Sequence, residues 1–289
     1  MSQAHQPDIG KLRQSVTILV TSCDWFYDAW IPFFFFFKKQ WPDNPFTVRL
    51  ITNRFRLDEG GVRELPVGED KGWGGNLIAA LGEITTDYVL YVQEDQFFIR
   101  PVDTTEFCKD LGYCLAHGVD YLAYRASPED EPGFKPVNDR FGVIAADSPH
   151  RVKADPALWK RTTLLQMLRA DDSPWHFLNT GSERCRDLLF MRYCRQPLST
   201  IDYLPGSAIR RDLWRKEGLA MMQEHGLTPS PGYRGTHIKM KSLLSQLRRA
   251  LTRRRFRADI RRQPDRVVPV NRAVETALGA AAPSAKKAD

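Results

Sequence analysis

The sequence predicts an α/β fold: a mostly parallel sheet with helices on both faces, followed by a basic C-terminal helix. Three observations carry this. Apolar, β-rich runs alternate with helix-patterned segments over residues 15–126, the order in which parallel sheets are threaded. The runs Val16-Thr17-Ile18-Leu19-Val20 and Tyr88-Val89-Leu90-Tyr91-Val92 are apolar almost throughout, as strands covered on both faces are. The charge is also segregated. The net charge is +7, yet residues 239–266 alone carry +9, so the remainder sums to −2 and the globular body is near neutral.

Residues 1–14 are polar and read as a flexible N-terminus. The first strand, 16–20, ends in the polar turn Thr21-Ser22-Cys23-Asp24. A helix over 28–40 follows, with Pro32 near its start or at a kink. Its five consecutive phenylalanines, Phe33 to Phe37, cannot all face water, so this helix is buried on most faces. Residues 46–52 form a second strand and 63–67 a weaker third. The turn Gly72-Trp73-Gly74-Gly75 leads into a helix over 76–84. The strongest strand, 88–92, runs straight into Gln93-Glu94-Asp95-Gln96. Asp103 with Glu106 is a capping-box pattern for a helix ending near Gly118, and 120–125 gives another strand.

Beyond Ser127 the pattern loosens. Residues 128–140 read as a surface loop, 141–145 as an edge strand, 158–169 as helix, 175–193 as mixed and 207–225 as helix. Leu243, Leu244, Leu247, Leu251 and Phe256 recur at helical spacing among arginines, which marks 238–263 as a basic amphipathic helix. The Ala-, Pro- and Lys-rich stretch 264–289 reads as disordered. Residues 15–237 are then one domain, with a nucleotide-binding half (15–126) and an acceptor half (127–237).

Composition removes several function classes. With 289 residues, 42% of them hydrophobic and 11% aromatic, the chain can bury an ordinary core, and wholesale disorder is excluded. Five cysteines, an odd number without a CxxC pair, read as reduced thiols, and no HExxH spacing is present. With no secretory signal and no apolar run of ~20 residues, the expectation is a cytoplasmic protein.

In open α/β sheets, ligands bind outside the carboxyl ends of the strands. Two polar turns fall there, 21–24 and 93–96. The adjacent carboxylates of Glu94 and Asp95 repel one another unless a cation or a hydrogen-bond network compensates. A divalent metal with a bound diphosphate supplies that compensation; a solvated strand end is the other reading.

The segment Tyr88-Val89-Leu90-Tyr91-Val92-Gln93-Glu94-Asp95-Gln96-Phe97-Phe98 resembles the acidic strand-end motif of GT-A glycosyltransferases, where a DxD-type cluster holds the metal–diphosphate of a nucleotide sugar. The resemblance extends over residues 15–225. It takes in the opening strand with its polar turn, the helix after Trp73, and the segments Ala157-Leu158-Trp159-Lys160, Ser173-Pro174-Trp175-His176-Phe177 and Gly181-Ser182-Glu183-Arg184. These look like the acceptor side of a bacterial subfamily associated with polysaccharide synthesis. The resemblance implies a nucleotide-sugar donor, a saccharide or lipid-linked saccharide acceptor, and Mn²⁺ or Mg²⁺ held by Asp95 with Glu94. The chain departs from the pattern at Gln93 and Gln96, where aspartates are expected, and at His176 and Leu178, which replace two carboxylates of a Pro-Trp-Glu-Phe-Glu segment.

Around that motif stand the other candidates. His176 is a candidate base for the acceptor hydroxyl, or else a packed histidine; Asp171 and Asp172 are the alternative bases. Thr21 and Asp24 lie in the first polar turn, where Asp24 suits ribose hydroxyls or an imide N–H, or caps the next helix. Trp73 either leans on the nucleotide or fills the core. Arg125 approaches the diphosphate or makes a surface ion pair. The basic helix suits an anionic membrane surface. With Phe256 its lone aromatic, it offers no stacking platform, so no nucleic-acid partner is expected. Two rivals to a glycosyltransferase remain: a sugar-phosphate nucleotidyltransferase, and a degenerate glycan-binding or scaffold protein.

Overall fold

The computed structural model describes residues 9–58, 61–126, 133–149, 151–227, 234, 243–270, 273–274 and 276–277. Its helices are α1 (Ile9–Leu12), α2 (Tyr27–Gln40), α3 (Gly72–Gly82), α4 (Thr104–His117), α5 (Arg161–Met167), α6 (Pro174–Thr180), α7 (Lys216–Glu224) and α8 (Leu243–Arg262). Its strands are β1 (Val16–Thr21), β2 (Thr47–Thr52), β3 (Arg56–Leu57), β4 (Val62–Pro66), β5 (Tyr88–Gln93), β6 (Tyr121–Ala123), β7 (Lys135–Pro136), β8 (Phe141–Val143), β9 (Ala157–Lys160), β10 (Phe190–Tyr193), β11 (Ile209–Arg210), β12 (Leu213–Trp214) and β13 (Val267–Val268).

Nine strands form one sheet in the order β4-β2-β1-β5-β9-β6-β10-β8-β7. β8 and β9 run against the other seven, so the sheet is mostly parallel. Both expected halves of the chain contribute strands to it. Successive residues point to opposite faces. Val16, Ile18 and Val20 of β1 and Tyr88, Leu90 and Val92 of β5 join one core, with the α2 phenylalanines and Phe107 and Leu111 of α4. Leu19, Val89 and Tyr91 join the other, with Leu77 and Leu81 of α3, Leu164 and Met167 of α5, and Phe177 of α6. Helices therefore cover both faces, and all five phenylalanines of α2 are buried.

Local chemistry sets the element ends. The Asp103 carboxylate accepts from the N–H groups of Thr105 and Glu106 and so starts α4, which Gly118 ends at φ 64°. Glu106 does not close the capping box, because its carboxylate pairs with Lys109 and Arg140. Pro32 lies inside α2 and does not mark its start.

Four expectations are corrected. The glycine run is the first turn of α3, not a turn before it. Residues 157–160 are a strand, not the start of a helix. Three of its four residues are buried, with Leu158 in one core and Trp159 in the other, which satisfies the sheet better than one amphipathic stripe would. Residues 209–214 form a hairpin before α7 in place of a continuous helix, behind Pro205 and Gly206 (φ 74°). Past Pro264, β13 pairs in parallel with β3, and Val268, Val270 and Val274 are buried, so the tail is structured at least that far. Residues 128–132 of the expected loop, and 271–272, 275 and 278–289 of the tail, lie outside the described residues.

α8 is fastened to the body by Phe256, which packs edge-on against Trp25 (4.4 Å) and parallel to Tyr27 (5.9 Å). Arg254, Arg255, Arg257, Arg261 and Arg262 are exposed. Among the described residues, no helix is long and apolar enough to cross a membrane. The five cysteines form no disulfide.

Candidate active site

β1 and β5 lie side by side, and the chain turns to β2 on one flank of β1 before crossing to β5 on the other. Such a reversal is where open α/β sheets place a crevice, at the strands' carboxyl ends. The register pairs Thr21 with Gln93, so the two polar turns emerge at the same level. Thr21 is buried, and its hydroxyl donates to the Val92 carbonyl (3.1 Å), tying the two strand ends together.

Asp24 is buried and bound by backbone. Its carboxylate accepts from the N–H groups of Asn53 (2.9 Å), Arg54 (2.9 Å) and Phe55 (3.1 Å), while Asn53 Oδ1 accepts from the Asp24 N–H (3.1 Å). Both oxygens are engaged by the loop after β2, in neither the ligand-facing nor the helix-capping role. Burial nevertheless raises its pKa against these three amides.

Glu94 and Asp95 are buried at the end of β5. Burial raises both pKa values above the usual carboxylate range, and the charge of Asp95 adds to the rise at Glu94. Asp95 lies beside Ser207 and Ile209, whose polar groups oppose the rise, yet its Oδ1 is buried without a partner. Ser207 holds a left-handed φ of 64°, and the Ala208 N–H donates to the Asp95 carbonyl (2.7 Å), so the β11–β12 hairpin closes over the acidic turn. Ser207 escaped the sequence reading because its segment was taken for helix, although Pro205-Gly206 signals a turn.

The glutamines flanking the pair are buckles. Gln93 and Gln96 both donate to the Ala154 carbonyl (2.9 and 3.0 Å), and Gln96 Oε1 accepts from the Gln93 N–H (2.8 Å). Aspartates could not donate these bonds. They hold the segment before β9 against the acidic turn.

Two further carboxylates border the crevice. Asp70 accepts from the Gly72 N–H (3.0 Å) and Asn76 Nδ2 (2.8 Å) at the start of α3. Burial first, then the charges of Asp70 and Glu94, raise the Cys23 thiol well above its ordinary pKa, which keeps it protonated. Asp28, in the first turn of α2, is buried against Arg234, which sequence spacing gave no means of finding. Among the described residues no group of three His, Cys, Asp or Glu side chains is arranged to hold a metal. A cation at Asp95 and Glu94 would complete its shell from a ligand and water.

Trp73 is partly buried. Its Nε1 donates to Tyr91 Oη (3.1 Å) and its ring packs on Phe177 (5.4 Å). Tyr91 Oη also accepts from Gln93 Nε2 (2.8 Å), so α6 is linked through Trp73 to the acidic turn. Arg125 is spent on Tyr203: Nε donates to its hydroxyl (2.9 Å), Nη2 to its carbonyl (3.1 Å), and the guanidinium lies 4.2 Å from the ring centroid.

The expected acceptor residues divide three ways. Asp171 is exposed. Asp172 is buried, with Arg184 on both oxygens (2.6 and 3.0 Å) and the Arg169 N–H on Oδ2 (2.9 Å), and these hydrogen bonds hold its carboxyl below the usual range. His176, with its side chain 45% exposed, donates from Nδ1 to Asp172 Oδ1 (2.7 Å). An ionised carboxylate only accepts, so Nδ1 carries a proton, and Nε2 is the nitrogen left facing away from Asp172. Beside it, Trp175 is 66% exposed.

No protein-family model matches the chain, and no curated protein matches its sequence. Among solved structures, S. aureus TarS 1-349 aligns at TM-score 0.39 and 11% identity over 62% of this chain and 60% of that one. The same protein in complex with UDP-GlcNAc aligns at TM-score 0.39 and 13% identity, over 62% and 58%. Glucosyl-3-phosphoglycerate synthase from Mycobacterium tuberculosis aligns at TM-score 0.28 and 14% identity, over 56% and 64%. The matched part thus spans less than two thirds of each of these chains, and likeness at this level carries no argument about ligand or activity.

Proposed function

We propose that the chain is a glycosyltransferase that moves a sugar from a nucleotide-sugar donor to a saccharide or lipid-linked saccharide acceptor. The observation that carries this is the Glu94–Asp95 pair, buried where the strand order reverses, with Asp95 Oδ1 lacking a partner. A buried carboxylate oxygen left bare is costly unless a ligand completes it. Asp95 and Glu94 would hold Mn²⁺ or Mg²⁺, hard cations suited to oxygen ligands, whose charge would offset that of a leaving diphosphate. The acidic strand end is also what resembles GT-A enzymes in the sequence.

The acceptor lies on the α6 side in this reading. His176 Nε2 takes the proton of the acceptor hydroxyl as its oxygen bonds to the anomeric carbon and the sugar–diphosphate bond breaks. Asp172 acts through His176: anchored by Arg184, it fixes the imidazole tautomer and favours the imidazolium that forms. Trp175, exposed one residue away, offers the apolar face of a sugar ring a flat surface. The exposed arginines of α8 would hold the protein to an anionic membrane surface, where a lipid-linked acceptor resides.

The test is a panel of nucleotide sugars with the full chain, followed by melting temperature and release of nucleoside diphosphate. At least one donor is expected to raise the melting temperature in the presence of Mn²⁺ or Mg²⁺, and to be turned over when acceptor is supplied. No shift with any donor, with or without metal, would remove the reading.

A further inference from the structure

Arg234 is the one buried cation bordering the acidic turn, among the described residues, that donates to a carboxylate and still has a group to spare. Its side chain is 3% exposed. Nε donates to both oxygens of Asp28 (3.2 and 2.9 Å), and Nη2 donates to Asp28 Oδ1 (3.1 Å) and the Trp25 carbonyl (2.5 Å). The guanidinium lies 4.4 Å from the Phe26 ring centroid and 5.6 Å from that of Trp25. Trp214 Nε1 donates to Asp28 from the far side (3.2 Å). Four hydrogen bonds and two ring contacts thus fix the fork, and Nη1 alone remains buried without a partner.

One hairpin joins the Asp28–Arg234 pair to the acidic turn: Trp214, which reaches Asp28, pairs with Ile209, and the neighbouring Ala208 N–H donates to the Asp95 carbonyl (2.7 Å). Two bare buried atoms of opposite character, a guanidinium N–H donor and the carboxylate oxygen Asp95 Oδ1, therefore belong to groups held by the same hairpin. One species with anionic oxygens that also carries a divalent cation satisfies both. The phosphate oxygens accept from Nη1, and the cation meets Oδ1. Because Asp28 already neutralises the guanidinium, Arg234 adds direction more than net charge, and binding should need the cation. We propose that Arg234 is a phosphate-binding residue of the site, donating from Nη1 to the diphosphate of the donor. This rests on the nucleotide-sugar reading above.

The experiment titrates the full chain calorimetrically with pyrophosphate and Mg²⁺, a probe free of base and sugar, and with a panel of nucleoside diphosphates. Arg234→Lys keeps a cation beside Asp28 but lacks the second arm of the fork. It is expected to bind the phosphate probes roughly tenfold or more weakly, the worth of one hydrogen bond to a charged group, with the ligand-free melting temperature preserved. The double variant Asp28→Asn, Arg234→Gln leaves no lone buried charge and should lose affinity likewise. Parent-like affinity in either folded variant would overturn the role of Arg234 and leave the donor site standing. Failure of the parent chain to bind any probe would remove the donor site itself, and the inference with it.

Discussion

At the scale of single residues, burial governs the acidic turn. Glu94 and Asp95 hold their protons above the usual carboxylate range because water is excluded from them. The folded chain therefore binds more protons than the unfolded one once pH exceeds the ordinary value of ~4. Stability from this source is present at low pH and declines as pH rises through the raised values. Asp95→Asn should flatten that decline in melts of the metal-free protein between about pH 5 and about pH 8. It should also abolish stabilisation by nucleoside diphosphate with Mn²⁺. Unchanged slope and unchanged ligand response together would mean that Asp95 is neither ionised late nor a ligand. On the acceptor side, His176→Ala is expected to cut turnover by about 10²–10⁴-fold, the usual worth of a general base, with donor binding intact. Asp172→Asn should lower turnover less, since the carboxylate acts only through the imidazole. A flat response at both positions would move the base to Glu183 or beyond.

At the scale of elements, the site depends on how tightly helix starts approach neighbouring loops. The first turn of α3 meets the loop before α6: the Gly74 N–H donates to the Asp172 carbonyl (3.0 Å), and a Cβ at Gly74 would overlap the Arg169 carbonyl. Backbone cannot yield as a flexible side chain would. Gly74→Ala should therefore destabilise the fold by about 1–3 kcal/mol, the usual cost of overpacking, measured by urea unfolding. It should also lower turnover further than the lost stability explains, because Asp172 and His176 are displaced together. Wild-type stability in the variant would show that the loop is free to move away. The glutamine buckles follow the same logic from the other flank, binding the segment before β9 to the acidic turn.

At the scale of the whole molecule, charge and docking are separable. α8 is joined to the body through Phe256 and β13, while five arginines with described side chains face solvent. Replacing Arg254, Arg255, Arg257, Arg261 and Arg262 by Gln should release the protein from anionic liposomes and leave its melting temperature and nucleotide binding unaltered. Attraction by the parent should weaken as salt shortens the Debye length from ~10 Å at 0.1 M to ~3 Å at 1 M. Liposome binding by the neutralised variant equal to the parent's would return the arginines to a merely solvated face. Truncation is the poorer test, because it would also remove Phe256 and the strand paired with β3.

The sequence by itself determined the parallel core of the sheet, the buried phenylalanine helix and the two polar turns at the crevice. Each is written in a contiguous run whose periodicity or burial decides its conformation locally, as in 16–20, 33–37 and 88–96. Tertiary structure alone decided the rest. β9 is a strand because a slot between β5 and β6 is filled from both faces, which no local pattern announces. The tail is ordered past Pro264 because β3 offers an open edge far away in sequence. Asp24 and Thr21 turned inward because backbone donors and acceptors of neighbouring strands reached them first. The Asp28–Arg234 pair spans 206 residues, and a carboxylate finds such a partner only once the fold has excluded water from both.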